Sequence, residues 1–159
     1  MEIERKYLVA TFPGHLDDYP CSRIEQGYLC NNPTVRIRRM DERYILTIKQ
    51  RVSSDSTAVV NREEEFPMTE VSYAQLRSKC DGRLVVKNRY RIPLEDMLIA
   101  ELDIFHGCHE GLALVEVEFP TIEAADAFCP PSWFGREVSA DSRFRNSFLA
   151  SHSTPPVTK

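Results

Sequence analysis

The stretch Glu2-Ile3-Glu4-Arg5-Lys6-Tyr7-Leu8-Val9 alternates the charged residues Glu2, Glu4 and Lys6 with Ile3, Arg5, Tyr7 and Val9. In a strand, residues two apart share a face, so this segment sets three charges side by side. The pattern recurs along the chain. Arg36 and Arg38 lie in TVRIRRM, Glu63 and Glu65 in NREEEFP, Lys87, Arg89 and Arg91 in VVKNRYRIP, Glu101 and Asp103 in IAELDIF, and Glu116 and Glu118 in ALVEVEFP. Either these strands wet one face of a sheet, or they line a charged cavity.

For one strand alone, a solvated face is the ordinary reading. Three features of the whole set favour the cavity. The polar parity is almost entirely Glu, Asp, Lys or Arg in adjacent same-face pairs, and like charges side by side repel unless opposite charge offsets them. The signs are sorted by strand: carboxylates near 63, 101 and 116, bases near 36, 49 and 87, and both on the first strand. Finally, period-2 patterning predicts eight strands, near 2–9, 22–30, 34–40, 43–50, 59–66, 83–92, 97–106 and 112–119, several joined by links short enough for hairpins.

Eight antiparallel strands are enough to close a barrel around a small ligand. The expected fold class is therefore α+β, mainly β: a closed eight-stranded antiparallel barrel with a charged lumen. Its apolar parity, including Ile3, Val35, Ile37, Leu46, Ile48, Tyr90, Leu102, Ile104, Val115, Val117 and Phe119, then faces outward under a few covering helices. Helices are predicted over 70–80 behind a Thr69 cap, over 122–128 behind a Thr121 cap, and as a last short piece within 139–151. Residues 1–150 read as one domain and 151–159 as a disordered tail. The Ser- and Thr-rich stretch 51–61 reads as a mobile loop at one mouth.

Composition narrows the function. A chain of 159 residues with 42% hydrophobic content carries a real single core. A net charge of −4 and a pI near 5.6 argue against a nucleic-acid binder, which needs excess basic charge. Five scattered cysteines without a CxxC pair suggest neither a disulfide framework nor a zinc cradle, and fit a reducing cytoplasm. No leader and no long apolar run point to a membrane. The expectation is a soluble cytoplasmic monomer or homodimer. No GxSxG or Walker-type loop is present, so phosphate capture falls to side chains. His106-Gly107-Cys108-His109 reads as a hairpin connection, Trp133 as a core anchor, and Tyr28 as either a lumen contact or a packing residue.

The proposed lumen holds eight acids (Glu2, Glu4, Glu63, Glu65, Glu101, Asp103, Glu116, Glu118) and seven bases (Lys6, Arg36, Arg38, Lys49, Lys87, Arg89, Arg91). Near balance is what burial demands, because an isolated buried charge costs several kcal/mol. A fitting ligand is itself highly charged and brings counter-ions. Arg and Lys suit phosphate oxygens, and carboxylates suit a hard cation such as Mg2+ or Mn2+. Together they suggest a metal-bound polyphosphate.

The ordered series resembles the CYTH-domain proteins, the triphosphate tunnel metalloenzymes, in their short bacterial form. Glu2-x-Glu4-x-Lys6 matches the family signature ExExK. In order follow Glu25-Gln26-Gly27-Tyr28-Leu29, Val35-Arg36-Ile37-Arg38, Leu46-Thr47-Ile48-Lys49, Glu63-x-Glu65, Lys87-x-Arg89-Tyr90, Glu101-x-Asp103-x-Phe105, Gly111-Leu112 leading to Glu116-x-Glu118, and Trp133-Phe134-Gly135-Arg136-Glu137-Val138. The likeness covers residues 2 to about 150.

It implies an eight-stranded tunnel and a divalent-metal-dependent triphosphatase using Mg2+ or Mn2+. Carried over by position, Glu2, Glu4, Glu63, Glu65, Asp103, Glu116 and Glu118 are the metal-side candidates. Lys6, Arg36, Arg38, Lys49, Lys87 and Arg89 are the phosphate ligands, with Glu2, Glu4, Lys6 and Lys87 in catalytic roles and Glu101, Arg91 and Arg143 as further candidates. Inorganic triphosphate is the expected substrate. A class IV-type adenylate cyclase, a nucleoside or thiamine triphosphatase, and a non-catalytic polyphosphate- or nucleotide-binding module stay open as alternatives. The chain departs from the family pattern at Leu98-Ile99-Ala100, where an aromatic residue is usual, and at Gln50-Arg51, where a glycine is.

Overall fold

The structure is a computed structural model that describes residues 1–52 and 58–158. The described residues form nine strands and three helices, in the order β1 (Glu2–Val9), β2 (Cys21–Asn31), β3 (Thr34–Met40), β4 (Arg43–Val52), β5 (Val59–Met68), α1 (Glu70–Arg77), β6 (Asp81–Pro93), β7 (Ile99–Phe105), β8 (Ala113–Glu118), α2 (Ile122–Ala127), β9 (Phe134–Glu137) and α3 (Asn146–Ser151). The sheet runs β5-β4-β3-β2-β6-β7-β8-β1-β9, every pairing is antiparallel, and β1 also pairs with β5. That extra pairing closes eight strands into a barrel. The closing seam is short, Glu2 opposite Asn61, Ile3 opposite Val60 and Glu4 opposite Val59, and further along β1 the last strand, β9, takes over at Tyr7 and Val9.

Strand alternation sorts the side chains as the charge pattern requires. On the outer surface, Leu102, Val115, Val117 and Phe119 are buried with Tyr7, Ile92, Ala100 and Phe134, and Ile3, Tyr90, Ile104, Phe128 and Trp133 pack on them. The helix α2 covers this patch, its first turn capped by the Thr121 hydroxyl, which accepts from the Ala124 N–H. Thr69 caps α1 in the same way through Ser72 N–H. Coverage is uneven: on β4 and β5, Ile48 and Phe66 remain 38% and 45% exposed.

A second apolar cluster lies inside. Leu8, Val85, Phe105 and Leu114 share strand parity with Lys6, Lys87, Asp103 and Glu116, and they are buried against Phe144, Leu149 and Ala150. One end of the barrel is therefore filled by an apolar plug brought by α3. Burying each of these large side chains contributes roughly 1.5–3 kcal/mol.

Several expectations change in detail. The predicted helix within 139–151 is two pieces, a 3-10 turn at Ser142–Phe144 and α3, separated by Arg145 at extended dihedrals. It plugs the barrel instead of covering its outside. The strand β9 has no counterpart in the sequence reading; four residues with Gly135, Arg136 and Glu137 among them show no usable periodicity. Arg51 and Val52, read as part of an irregular loop, lie on β4, while Val59, Val60 and Asn61, where the predicted loop 51–61 and the predicted strand 59–66 overlap, lie on β5. Residues 53–57 of that stretch lie outside the described residues. Beyond Ser151, residues 152–158 carry no helix or strand. Among the described residues no helix is long and apolar enough to cross a membrane.

Candidate active site

Above the plug, the lumen opens into a cavity of about 680 Å3 lined by Glu2, Glu4, Lys6, Arg36, Arg38, Lys49, Glu63, Glu65, Arg89, Arg91, Glu101, Glu116 and Glu118, together with Tyr28. The strand register brings opposite charges together: Lys6 faces Glu116, Lys49 faces Glu63, and Arg89 and Arg91 face Asp103 and Glu101. Sequence reasoning named thirteen of these lining charges before any coordinate was needed.

The cavity floor is a saturated ion network. Arg89 is nearly buried and donates through Nε to Asp103 Oδ1 at 2.7 Å, through Nη2 to Asp103 Oδ2 at 2.7 Å and to Glu116 Oε2 at 2.9 Å, and through Nη1 to Glu101. Lys6 Nζ closes on Glu116 Oε1 at 2.8 Å and donates to the Phe144 carbonyl at 3.3 Å. Lys87, fully buried, pairs with Asp103 and donates to Asn146 Oδ1 at 3.3 Å. Burial opposes ionisation of Asp103 and Glu116. The cations win: Arg89 and Lys87 hold Asp103 below its ordinary value, and Lys6, Arg89 and Lys87 hold Glu116 well below. Burial, with the positive charges of Arg89 and Arg38 close by, lowers Lys87 to about 8 against the opposing pull of Asp103 and Glu116.

Two predicted site residues thus lie beneath the cavity instead of in its lining. Lys87 and Asp103 are 0% and 1% exposed, and Asp103 has both oxygens engaged. Arg143 does not reach the cavity: it is half-exposed and pairs with Asp141 at 2.7 Å. Arg145, two residues on, lines the cavity in its place, with Asn146 and Ser147.

The rim toward the β1–β5 seam is different in character. Lys49 Nζ alone serves three carboxylates, Glu2 at 2.5 Å, Glu63 at 3.4 Å and Glu4 at 3.7 Å, while Arg36 reaches Glu63 at 3.8 Å. Glu63 Oε2 is buried without a hydrogen-bond partner. Glu118 faces Glu4 across β1 and β8, and burial reinforced by Glu2, Glu101, Glu4 and Glu63 raises its carboxyl to about 7. Negative charge is in surplus here. All-oxygen donors, among them a buried Glu63 oxygen that makes two long ion pairs and no hydrogen bond, suit a hard divalent cation in kind. Among the described residues, no three Asp, Glu, His or Cys side chains form a ready cage.

Other residues escaped the charge pattern. Gln26 and Asn61 share lumen parity with Tyr28 and Glu63 and were legible by position, though not by charge; Arg145, Asn146 and Ser147 carried no strand signal at all. Arg5 and Glu137, both inside recognised motifs, serve structure: Arg5 Nε and Nη2 fork onto Glu137 at 3.0 and 2.6 Å, and Nη1 donates to the Ala125 carbonyl at 2.8 Å. His109 is buried in the turn between β7 and β8, its Nε2 2.7 Å from the Leu149 carbonyl. It is a structural tie, in keeping with the hairpin reading.

Fold and site define a closed barrel whose two-signed lumen is suited to a multiply charged anion. The comparisons with known proteins agree. The chain is 43% identical over 155 residues to an inorganic triphosphatase of Nitrosomonas europaea, covering 94% of this chain and 96% of that protein. It is 32% identical to an inorganic triphosphatase of Acetivibrio thermocellus over 93% of this chain and 92% of the other. No family model matches. The crystal structure of an inorganic triphosphatase superposes with a TM-score of 0.69 at 38% identity, covering 96% of this chain and 95% of that one. A Hippeastrum protein described as a putative adenylyl cyclase with dominant triphosphatase activity shares the fold, with a TM-score of 0.54 at 15% identity over 79% of this chain and 82% of its own. The chain belongs to the family of these inorganic triphosphatases.

Proposed function

We propose that this protein hydrolyses inorganic triphosphate inside its barrel, in the manner of a triphosphate tunnel enzyme that uses Mg2+ or Mn2+. The observation that carries the reading is the two-signed lumen. Bases hold one side, carboxylates are crowded and under-compensated on the other, and Tyr28 is the one aromatic among the described lining residues. A nucleoside or thiamine triphosphate asks for a platform beyond the phosphates, and the lining favours a ligand that is phosphate throughout.

Phosphoryl transfer depends mainly on alignment and charge neutralisation, which side chains fixed in advance supply best. Lys6, Arg36, Arg38, Lys49 and Arg89 are placed to take the phosphate oxygens. Glu2, Glu4, Glu63, Glu65 and Glu118 would hold the divalent cation, which when bound draws charge from the phosphates and lowers the pKa of attacking water. Asp103 and Lys87 from beneath, and Glu116 from the lining itself, fix Arg89 and Lys6 at the floor. Arriving phosphate competes for Lys49, releasing Glu2 and Glu63 from it. Anion capture and exposure of the acidic ligands are therefore one event.

The test is phosphate release from tripolyphosphate with Mg2+ or Mn2+, set beside ATP, thiamine triphosphate and pyrophosphate and against a Glu4→Ala control. Release from tripolyphosphate well above the other substrates and the control is expected. Cyclic AMP formed from ATP as the dominant product would overturn the assignment, as would tight binding without turnover.

A further inference from the structure

Behind the cavity wall, wholly buried and outside the lining, sits the amide of Gln26. It lies on β2 opposite Arg38 of β3. Arg38 Nε donates to Gln26 Oε1 at 3.1 Å, and Gln26 Nε2 lies 2.8 Å from the Tyr28 hydroxyl. The amide can be oriented in one way only. A guanidinium Nε donates and never accepts, so the oxygen of Gln26 must face Arg38 and its NH2 must face Tyr28.

Arg38 itself is unusual among the lumen bases. It is 8% exposed, yet among the described residues it makes no ion pair, whereas Lys6, Arg36, Lys49, Lys87, Arg89 and Arg91 all do. Burial, with Arg36 and Arg89 close by, lowers it to about 10. A carboxylate in place of Gln26 would satisfy this guanidinium and cancel its charge. An amide satisfies one N–H and leaves the charge intact.

We infer that Gln26 is a positioning residue for anion capture: it fixes the Arg38 guanidinium toward the cavity while leaving its positive charge unspent for a phosphate oxygen. This rests on the triphosphate reading above and names a residue that the charge pattern does not. The wider principle is that a neutral acceptor orients a cation at no electrostatic loss to the ligand, whereas a charged one competes with the ligand.

Two near-isosteric variants separate this role from plain structural support. Gln26→Glu keeps an acceptor for Arg38 but neutralises it. Gln26→Met removes the acceptor and keeps the charge. A purely structural amide would be replaced better by Glu, so Gln26→Met should then be the worse of the two in both melting temperature and tripolyphosphate binding. Positioning of an uncancelled charge gives a split ranking: Gln26→Glu melts at or above Gln26→Met, but binds tripolyphosphate more weakly, by roughly tenfold relative to the parent. The binding is read by titration calorimetry with tripolyphosphate in EDTA, and steady-state turnover with Mn2+ should show the loss mainly in KM. Equal affinity of Gln26→Glu and the parent, or the same ranking in both measurements, overturns the proposal. Should Gln26→Glu fail to fold, Gln26→Met decides alone: a several-fold loss of tripolyphosphate affinity at a parent-like melting temperature supports the role, and parent-like affinity, or a loss that accompanies a lower melting temperature, ends it. A parent protein that neither binds nor cleaves tripolyphosphate would instead bring down the functional reading on which the inference stands.

Discussion

Glu118 shows what it takes to gather carboxylates at one end of a lumen. It faces Glu4 across the ladder, lacks an ion pair among the described residues, and is raised to about 7 by burial and by Glu2, Glu101, Glu4 and Glu63. An acid raised above its ordinary 4.5 binds more protons folded than unfolded. Its contribution to stability therefore falls as pH rises from about 4.5 to about 7, and above that window the ionised group is a net liability. Glu118→Gln should melt higher than the parent at pH 8 in EDTA and at the same temperature near pH 4.5. Fluorimetric melts at the two pH values decide it, and identical curves at pH 8 would remove the proposed charge surplus. Added Mn2+ should stabilise the parent more than the variant, because the variant has lost one oxygen donor of the acidic rim.

At the scale of elements, α3 decides which part of the barrel is a site and which is core. Gly82, at the start of β6, has φ +70°, and a Cβ there would lie 2.4 Å from the Ala150 carbonyl oxygen. Gly82→Ala should therefore force α3 off its seat and cost about 2–4 kcal/mol, from backbone strain plus the clash. Urea unfolding measures the loss, and a variant as stable as the parent would show that the plug tolerates displacement. The eight barrel strands were legible because charge-x-charge alternation has period 2 and runs through nearly every one. The plug was not, since Phe144, Leu149 and Ala150 read equally well as a helix on the outside. What sends them inside is Arg145, an extended residue between two helical turns, together with the His109 tie to Leu149, and both depend on tertiary contacts with no local signature. Cavity-lining residues followed the same division. Those on strands, such as Arg36 and Glu65, were legible by parity, whereas Arg143, carried over from the family resemblance alone, lies outside the lining and Arg145 is within it, because a coil segment offers no parity to count.

Across the whole molecule, the lumen charges form connected ion-pair networks, and in the proposed function ligands would exchange partners with the protein's own charges. Lys49 is its pivot, held between Glu2, Glu63 and Glu4 and raised in pKa by Glu4 and Glu2 despite the opposing burial. Without it, the closing seam between β1 and β5 sets carboxylates against one another with Arg36 as the remaining neighbour at 3.8 Å from Glu63. Lys49→Met should then be destabilised in EDTA by about 2 kcal/mol, or roughly 4–8 °C in melting temperature. The same substitution frees three carboxylates that the lysine had neutralised, so Mn2+ alone should bind the variant more tightly than the parent, by about tenfold, and restore most of the lost melting temperature. Tripolyphosphate in EDTA should move the opposite way and bind more weakly. Calorimetry with each ligand separately checks both halves. Loss of Mn2+ affinity in Lys49→Met would mean that the lysine does not compete with a cation for these carboxylates, and the exchange by which phosphate capture opens the acidic rim would have to be abandoned.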